Sequence, residues 1–395
     1  MERIQTLDLL RGIALGGILV MNIYSFALPG TAYSNPMAYG AESFVNHWVF
    51  IFTHIFFDQK MMGLFSLLFG ASALLFMEKA RAKHRRPATV YYTRIFWLIV
   101  FGICHSTFLW EGDILFYYGM CGLLLFFFQY LPAAVNFLLG FALFAGAIAV
   151  GDYGQHWFNT LPLAQQEYMS WAWQPEPRET AYEIGLRMSD YDTLRGYRWD
   201  TSELNPFYTT TFTTKVFIVQ GVMRAFAMML IGMALFRWRA FTRPTSTTVG
   251  KVLLAFSCIT IIIGLYWQYV HEWSMTYSFY HGRWYNHLAT PFMVIAYVLL
   301  IGHVFNLPII KYFRGAVANY GRMAFSNYIG QTLICTSLFY GYGLGWFARF
   351  DRLQLMGIVA LIIVVQIIFS NLWLSLFRYG PLEWVWRLLT FFRIP

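Results

Sequence analysis

The residues of this chain most able to do chemistry are ionisable or amide side chains set inside long apolar runs or at their ends. In hydrocarbon such a group costs about 3 kcal/mol or more unless it meets a partner or a cavity. The densest cluster is Gly102, His105, Trp110, Glu111, Gly112, Asp113, Tyr117 and Tyr118. His105 lies near the end of one apolar run and Asp113 opens the next, so imidazole and carboxylate can meet across the turn. That pair would suit a general base oriented by an acid. The same spacing also allows a plain helix–helix hydrogen bond from His105 and a helix N-cap from Asp113.

Asp8 and Arg11 stand three residues apart on one helix face and are expected to pair. They would act either as an anion-binding group or as a membrane anchor whose acidic member matches the helix dipole. Asn22 follows Arg11 by eleven residues, about three turns and ~16 Å further along the same side; its alternative is an interhelical hydrogen bond. Lys60 either snorkels to the interface or presents a cation to an outer cavity. Arg322 leads into Ser326, Asn327, Gln331 and Thr332, too many polar groups for a lipid-facing helix. Asn327 and Gln331, four apart, share a face. Arg224, with Gln220 one turn before it, falls in mid-run and should turn inward.

The elements that carry these residues follow from composition. Of 395 residues, 58% are hydrophobic and 12% charged, against about 25% charged in an average soluble domain. A mean hydropathy of +0.50 excludes an ordinary soluble protein. A spanning helix needs about 20 apolar residues, and ten segments qualify, near 9–28, 60–78, 90–110, 114–131, 132–151, 213–236, 250–270, 285–306, 318–342 and 355–377. The run 45–57 is too short to span and fits an interfacial or re-entrant helix. The first segment carries Asp8 and Arg11 and has no cleavage pattern, so it is expected to be retained. Lys and Arg divide 18 to 9 between alternate sides, with Arg224 within a span. The excess places both termini in the cytoplasm.

The fold class is therefore all-α, a polytopic membrane protein of about ten transmembrane helices. Its parts are an N-terminal five-helix half, 1–151, a small outer-side cap, 152–212, and a C-terminal five-helix half, 213–395. Trp110, Trp273, Trp284, Tyr285, Trp346, Trp384 and Trp386 at span ends read as interfacial anchors. No pair of broken helices stands out in corresponding halves. The net charge of +9 reflects the membrane asymmetry, so no nucleic-acid partner is expected. Cys104, Cys121, Cys258 and Cys335 lie in apolar stretches without metal spacing and read as buried small hydrophobes. No metal site, Walker A, GxGxxG or GxSxG pattern is present in the sequence.

These segments together resemble the YeiB family of bacterial inner-membrane proteins, whose members carry a C-terminal domain of unknown function. The resemblance runs over nearly the whole chain. It is carried by Glu2-Arg3, Thr6-Leu7-Asp8, Arg11-Gly12 and Asn22; by Lys60 with Leu64 to Gly70; by Gly102 to His105 and Trp110 to Leu115; and by Gly321 to Tyr328 and Gly380 to Arg387. The opening LDLLRGIAL with Asn22 is also similar to heparan-α-glucosaminide N-acetyltransferase and the acyltransferase-3 proteins. Those share a ten-helix core that moves an acyl group from cytoplasmic acyl-CoA to an acceptor, often a sugar, across the membrane.

This second resemblance implies that Arg11 helps hold the donor's phosphates and that Asn22 lines a central passage. The acetyltransferase places its catalytic histidine shortly after the first helix, whereas residues 29–40 contain none. His105, oriented by Asp113, would have to serve instead. The expectation is an inner-membrane acyltransferase with acyl-CoA as donor substrate and a sugar, lipid or small molecule as acceptor among membrane lipids. Arg11 and Arg322 would engage phosphates, and Asn22, Asn327 and Gln331 would hydrogen-bond the pantetheine. The competing expectations are a transporter or channel for a small organic solute, and a non-catalytic sensor with a closed bundle centre.

Overall fold

The computed structural model describes residues 4–83, 86–170, 173–199, 211–242 and 246–391. Glu2, Arg3, Arg85, Arg243 and Arg393, used above for the resemblance or the charge count, lie outside them. Among the described residues the chain is helical and has no strand. In order the α-helices are α1 Gln5–Ala27, α2 Phe44–Phe56, α3 Lys60–Ala82, α4 Pro87–Phe108, α5 Leu115–Phe128, α6 Ala133–Thr160, α7 Leu163–Ser170, α8 Pro177–Arg187 and α9 Tyr191–Trp199. They continue with α10 Thr211–Arg237, α11 Thr247–Val270, α12 Met275–Ser278, α13 Trp284–Val304, α14 Arg314–Arg322, α15 Ala324–Phe339, α16 Arg352–Leu376 and α17 Pro381–Phe391.

Eight helical stretches among the described residues are long and apolar enough to cross a membrane, α2 and α3 forming one of them. Two of the ten expected segments fall short of that length. The run 114–131 yields only the 14-residue α5, because Asp113 and Pro132 bound it closely. The run 318–342, expected as one helix, is broken at Met323 (φ −102°, ψ 32°) into α14 and α15. A third departure is α6, which continues to Thr160 rather than ending near 151. The run 45–57 is helical as α2 and is separated from α3 only by residues 57–59, where Gln59 takes a left-handed φ of +65°.

Helix α1 is the axis of the bundle, largely buried against α3, α14, α15 and α16. Its approach to α14 depends on two glycines: a Cβ on Gly321 would collide with the Asp8 carbonyl and the Gly12 amide, and one on Gly12 with the Val317 carbonyl. Small residues let helices without a water-driven force approach to backbone contact. Gly70 of α3 and Gly232 of α10 form a second such crossing. In contrast α11 and α16 keep Ile259, Ile262, Leu361, Val364 and Ile368 exposed, which is what a lipid-facing surface requires.

Some expected surface residues are buried. Trp110 is 4% exposed with its ring 4.1 Å from Phe26, and Trp273 is 1% exposed, its carbonyl accepting from Trp173 Nε1 at 2.6 Å. These two are packing residues rather than interfacial anchors. Conversely Cys104 is exposed and Cys258 half-buried, leaving only Cys121 and Cys335 buried.

Candidate functional site

The expected acid–base pair is assembled. His105 Nδ1 lies 2.8 Å from Asp113 Oδ1, and both residues are buried. The other Asp113 oxygen accepts the Phe116 N–H at 2.7 Å, which caps the start of α5. On the far side of the ring, His105 Nε2 meets Thr332 Oγ1 of α15 at 2.9 Å. An ionised carboxylate can only accept, so in the neutral imidazole Nδ1 carries the proton and Nε2 is left to accept from the threonine hydroxyl. The unprotonated nitrogen therefore faces Thr332, giving a hydroxyl–imidazole–carboxylate line with the roles of a catalytic triad. The sequence named the pair; Thr332 appeared there only as one polar group of a crowded helix.

Around this line the bundle holds cavities in series. The first, of about 410 Å³, is lined by Asp8, Arg11, Lys79, Arg322, Arg378 and Tyr379 among others. It shares Arg11, Leu75, Lys79 and Arg322 with a second of about 370 Å³, which adds Ser72, Arg94, Glu383, Trp386 and Arg387. Five cations around one largely apolar chamber form an anion-attracting site. Arg11 is held by Asp8 Oδ1 at 2.7 Å, as the spacing predicts, and by the Ser72 hydroxyl. Arg322 donates to Asn319 Oδ1 at 3.0 Å, and the Arg94 guanidinium lies 3.5 Å from the Trp386 ring centre.

A third cavity, of about 380 Å³, lies towards the other end of α1 and is lined by Asn22, Tyr33, Gln59, Glu111, Asp113, Tyr117 and Arg224 among others. Ile18, Ile114, Tyr118 and Tyr328 line both this cavity and the cationic one, so they form the partition between them. Tyr118 is fixed by Ser66 Oγ at 2.6 Å, and the Tyr328 ring lies 5.2 Å from that of His105. The acid–base line thus runs beside the partition. Asp113 reaches the third cavity and Tyr328 touches both, whereas His105 and Thr332 line none of the three.

The remaining expected residues are engaged elsewhere. Lys60 neither snorkels nor faces a cavity: it is fully buried, donating to the His54 carbonyl at 2.7 Å and to Asn286 Oδ1. Asn286 in turn donates to Asp58, which also contacts His54 Nδ1 at 3.2 Å. This network ties α2, α3 and α13 together. Asn327 and Gln331 do share a face, but it is turned to α16. Asn327 Nδ2 donates to the Tyr320 carbonyl at 3.1 Å and to Ser370 Oγ at 2.9 Å, while Gln331 Nε2 bonds the Tyr320 hydroxyl and Gln366. The amide of Asn327 satisfies a carbonyl released by the break in the helix.

Sequence reasoning passed over Arg94, Lys79, Glu383 and Gln59. Arg94 falls inside the expected span 90–110 and carries the same signal as Arg224. The Glu383 carboxylate accepts from the Phe325 and Ser326 amides at 2.8 and 3.1 Å and from Ser326 Oγ at 2.5 Å. It is the cap of the second half-helix.

Beyond the membrane helices, α8 docks beside the third cavity. Arg187 pairs with Glu111 at 2.7 Å and bonds the Tyr340 hydroxyl at 3.1 Å; Glu183 accepts the Gly30 N–H at 3.0 Å. Burial pushes the Glu183 carboxyl above its usual range and Glu111 adds to the rise, while Arg187 and the Gly30 amide pull it back.

A bundle of apolar helices around an internal series of cavities defines a polytopic helical membrane protein. Residues 235–393 match the family described as "Protein of unknown function (DUF418)". The chain is 34% identical to the protein YeiB of Escherichia coli (strain K12), over 99% of this chain and 97% of that one. It is 29% identical to YxaH of Bacillus subtilis (strain 168), over 99% of this chain and 94% of the relative. The chain belongs to the YeiB family. No solved structure matches it.

Proposed function

We propose that the protein is a transmembrane acyltransferase, taking an acyl group from acyl-CoA on the cytoplasmic side and delivering it to an acceptor from the other side. The observation that carries this reading is the cavity series, cationic at the Arg11 end and adjoining the third chamber at Ile18, Ile114, Tyr118 and Tyr328. Arg11, Lys79, Arg94, Arg322 and Arg387 would hold the donor's phosphates. The apolar lining of Phe65, Phe69 and Leu98 would take the acyl-pantetheine arm. In this reading ten segments cross the inner membrane, α5 and the α14–α15 pair included, both termini are cytoplasmic, and α7–α9 belong to an outer cap.

The chemistry assigned to the partition is proton transfer. His105 Nε2, which faces Thr332, removes the proton from an acceptor hydroxyl or amine by relay through the Thr332 hydroxyl. The acceptor's heteroatom attacks the thioester carbonyl, the C–S bond breaks, and the coenzyme A thiolate takes up the proton from the imidazolium. Asn327 and Gln331, bonded within the α14–α16 network, are given no part in binding.

Thermal unfolding of the detergent-purified protein with acetyl-CoA and longer acyl-CoAs tests the donor site. Ligand at 100 times its dissociation constant adds about 2.7 kcal/mol of stability. Arg11→Ala and Arg322→Ala are each expected to weaken binding about tenfold, the loss of one charge-assisted hydrogen bond. A folded protein whose stability does not respond to any acyl-CoA would overturn the reading. The transporter alternative draws support from the same partition and from the helix break at Met323, since interrupted helices often flank solute sites. Solute uptake into proteoliposomes without acyl-CoA would favour it. Open cavities in the bundle centre give no support to the closed bundle that a non-catalytic sensor predicts.

A further inference from the structure

Arg224 and Gln59 line the third cavity, and each leaves one buried polar atom without a partner among the described residues. The Arg224 Nε donates to the Gln220 carbonyl of its own helix at 3.2 Å, but its Nη1 bonds nothing among the described residues. No carboxylate lies within ion-pair distance of it there. The two carboxylates lining the same cavity are already engaged, Asp113 with His105 and the Phe116 amide, Glu111 with Arg187. Gln59 donates through Nε2 to Asp58 at 3.0 Å, while its Oε1 accepts nothing among the described residues.

The backbone of Gln59 is held at φ +65°, a left-handed conformation that costs a non-glycine residue about 1–3 kcal/mol. Buried orphan donors and acceptors are rare because each forfeits its hydration. A guanidinium nitrogen and an amide oxygen in one chamber would satisfy each other if they met. No bond joins them, so the arrangement suits a third body that draws both side chains towards the chamber they line.

We infer that the third cavity is a binding site for a small hydroxylated acid, which brings an anionic oxygen to the Arg224 guanidinium and a hydroxyl hydrogen to the Gln59 amide oxygen. A volume of about 380 Å³ is of the size that holds small molecules. The site rests on the acyltransferase reading only for its role: there, the bound acid is the acceptor, and its hydroxyl lies on the Asp113 side of the partition.

Titration calorimetry on the full chain in detergent tests this with three probes built on one hexose ring: glucuronate, glucose 6-phosphate and glucose. At least one acidic probe should bind ten times more tightly than glucose, and the tighter of the two tells carboxylate from phosphate. Arg224→Gln and Gln59→Leu should each weaken that binding at least tenfold while leaving acetyl-CoA binding unchanged. Equal affinity for glucose, acid binding indifferent to Arg224→Gln, or no binding of either acid would overturn the inference.

A second measurement needs no ligand. Replacing a half-buried cation that has no counter-charge among the described residues by an apolar residue of similar length relieves an uncompensated charge, so Arg224→Met should raise the Tm of the empty protein. A lowered Tm would assign Arg224 a structural duty and also overturn the site. Acid binding without acyl-CoA binding would instead remove the acyltransferase reading and leave the site standing.

Discussion

At the scale of single residues, the imidazole of His105 is defined by what stands on either side of it. Asp113 fixes the proton on Nδ1, and Thr332 occupies the nitrogen that would act as base. Asp113→Asn would offer the ring an amide in place of a charge, favouring the wrong tautomer. Thr332→Val would delete the hydroxyl and keep the shape. Both should lower acyl transfer from radiolabelled acetyl-CoA by about 10²–10⁴-fold, the usual worth of a positioned base, with acetyl-CoA affinity unchanged. Transfer at the wild-type rate in both variants would leave the line as a packing contact between α4, α5 and α15. The pair itself was legible in the sequence because a turn of seven residues joins the two side chains. Thr332 was not, since its distance from His105 is 227 positions and depends on how α15 packs. Lys60 shows the opposite failure. Sequence reasoning gave a buried lysine only water or a cavity to face, and could not foresee that Asn286, 226 positions away, would receive it.

At the scale of helices, the break at Met323 depends on a carboxylate from another helix. Glu383→Gln keeps an acceptor but removes its charge from the α15 N-terminus, and should cost about 1–3 kcal/mol, read as a lower denaturation midpoint in detergent. A neutral outcome would mean that water already satisfies these amides. The α14–α1 crossing gives a sharper test, because Gly321→Ala forces a methyl group into the Asp8 carbonyl. Overpacking of this kind costs about 1–3 kcal/mol, and by moving Asp8 and Arg11 it should weaken acyl-CoA binding as well. Hydropathy could mark 318–342 as one apolar stretch. It could not mark the interruption, where Asn327 of α15 and Glu383 of α17 supply the missing backbone partners. The long uniform runs of α1, α11, α13 and α16 had no such dependence, and their helices lie close to where periodicity and length place them.

Across the whole molecule, the docking of α8 links the third cavity to the proton concentration outside the helices. Glu183 has a carboxyl raised above its unfolded range by burial. A raised carboxyl binds its proton more tightly when folded, so its share of stability is complete below the ordinary carboxylate range. That share is lost as pH climbs through the raised folded value. The dock should therefore loosen on going from acid towards neutrality, and Glu183→Gln should flatten the dependence. Fluorescence quenching of an introduced probe at Tyr182, followed from pH 4 to pH 8, would show the change; an identical profile in the variant would detach Glu183 from it.

The cap that Glu383 places on Ser326 also sets a schedule for synthesis. The carboxylate is encoded 57 positions after the amide it satisfies, and at about 5–20 residues per second the ribosome needs roughly 3–11 s to reach it. For that interval the first turn of α15 must find other partners, in the translocation machinery or in water. A nascent chain arrested before Pro381 would therefore hold the wall of its cationic chamber open, accessible to chaperones and to proteases, until α17 arrives to close it.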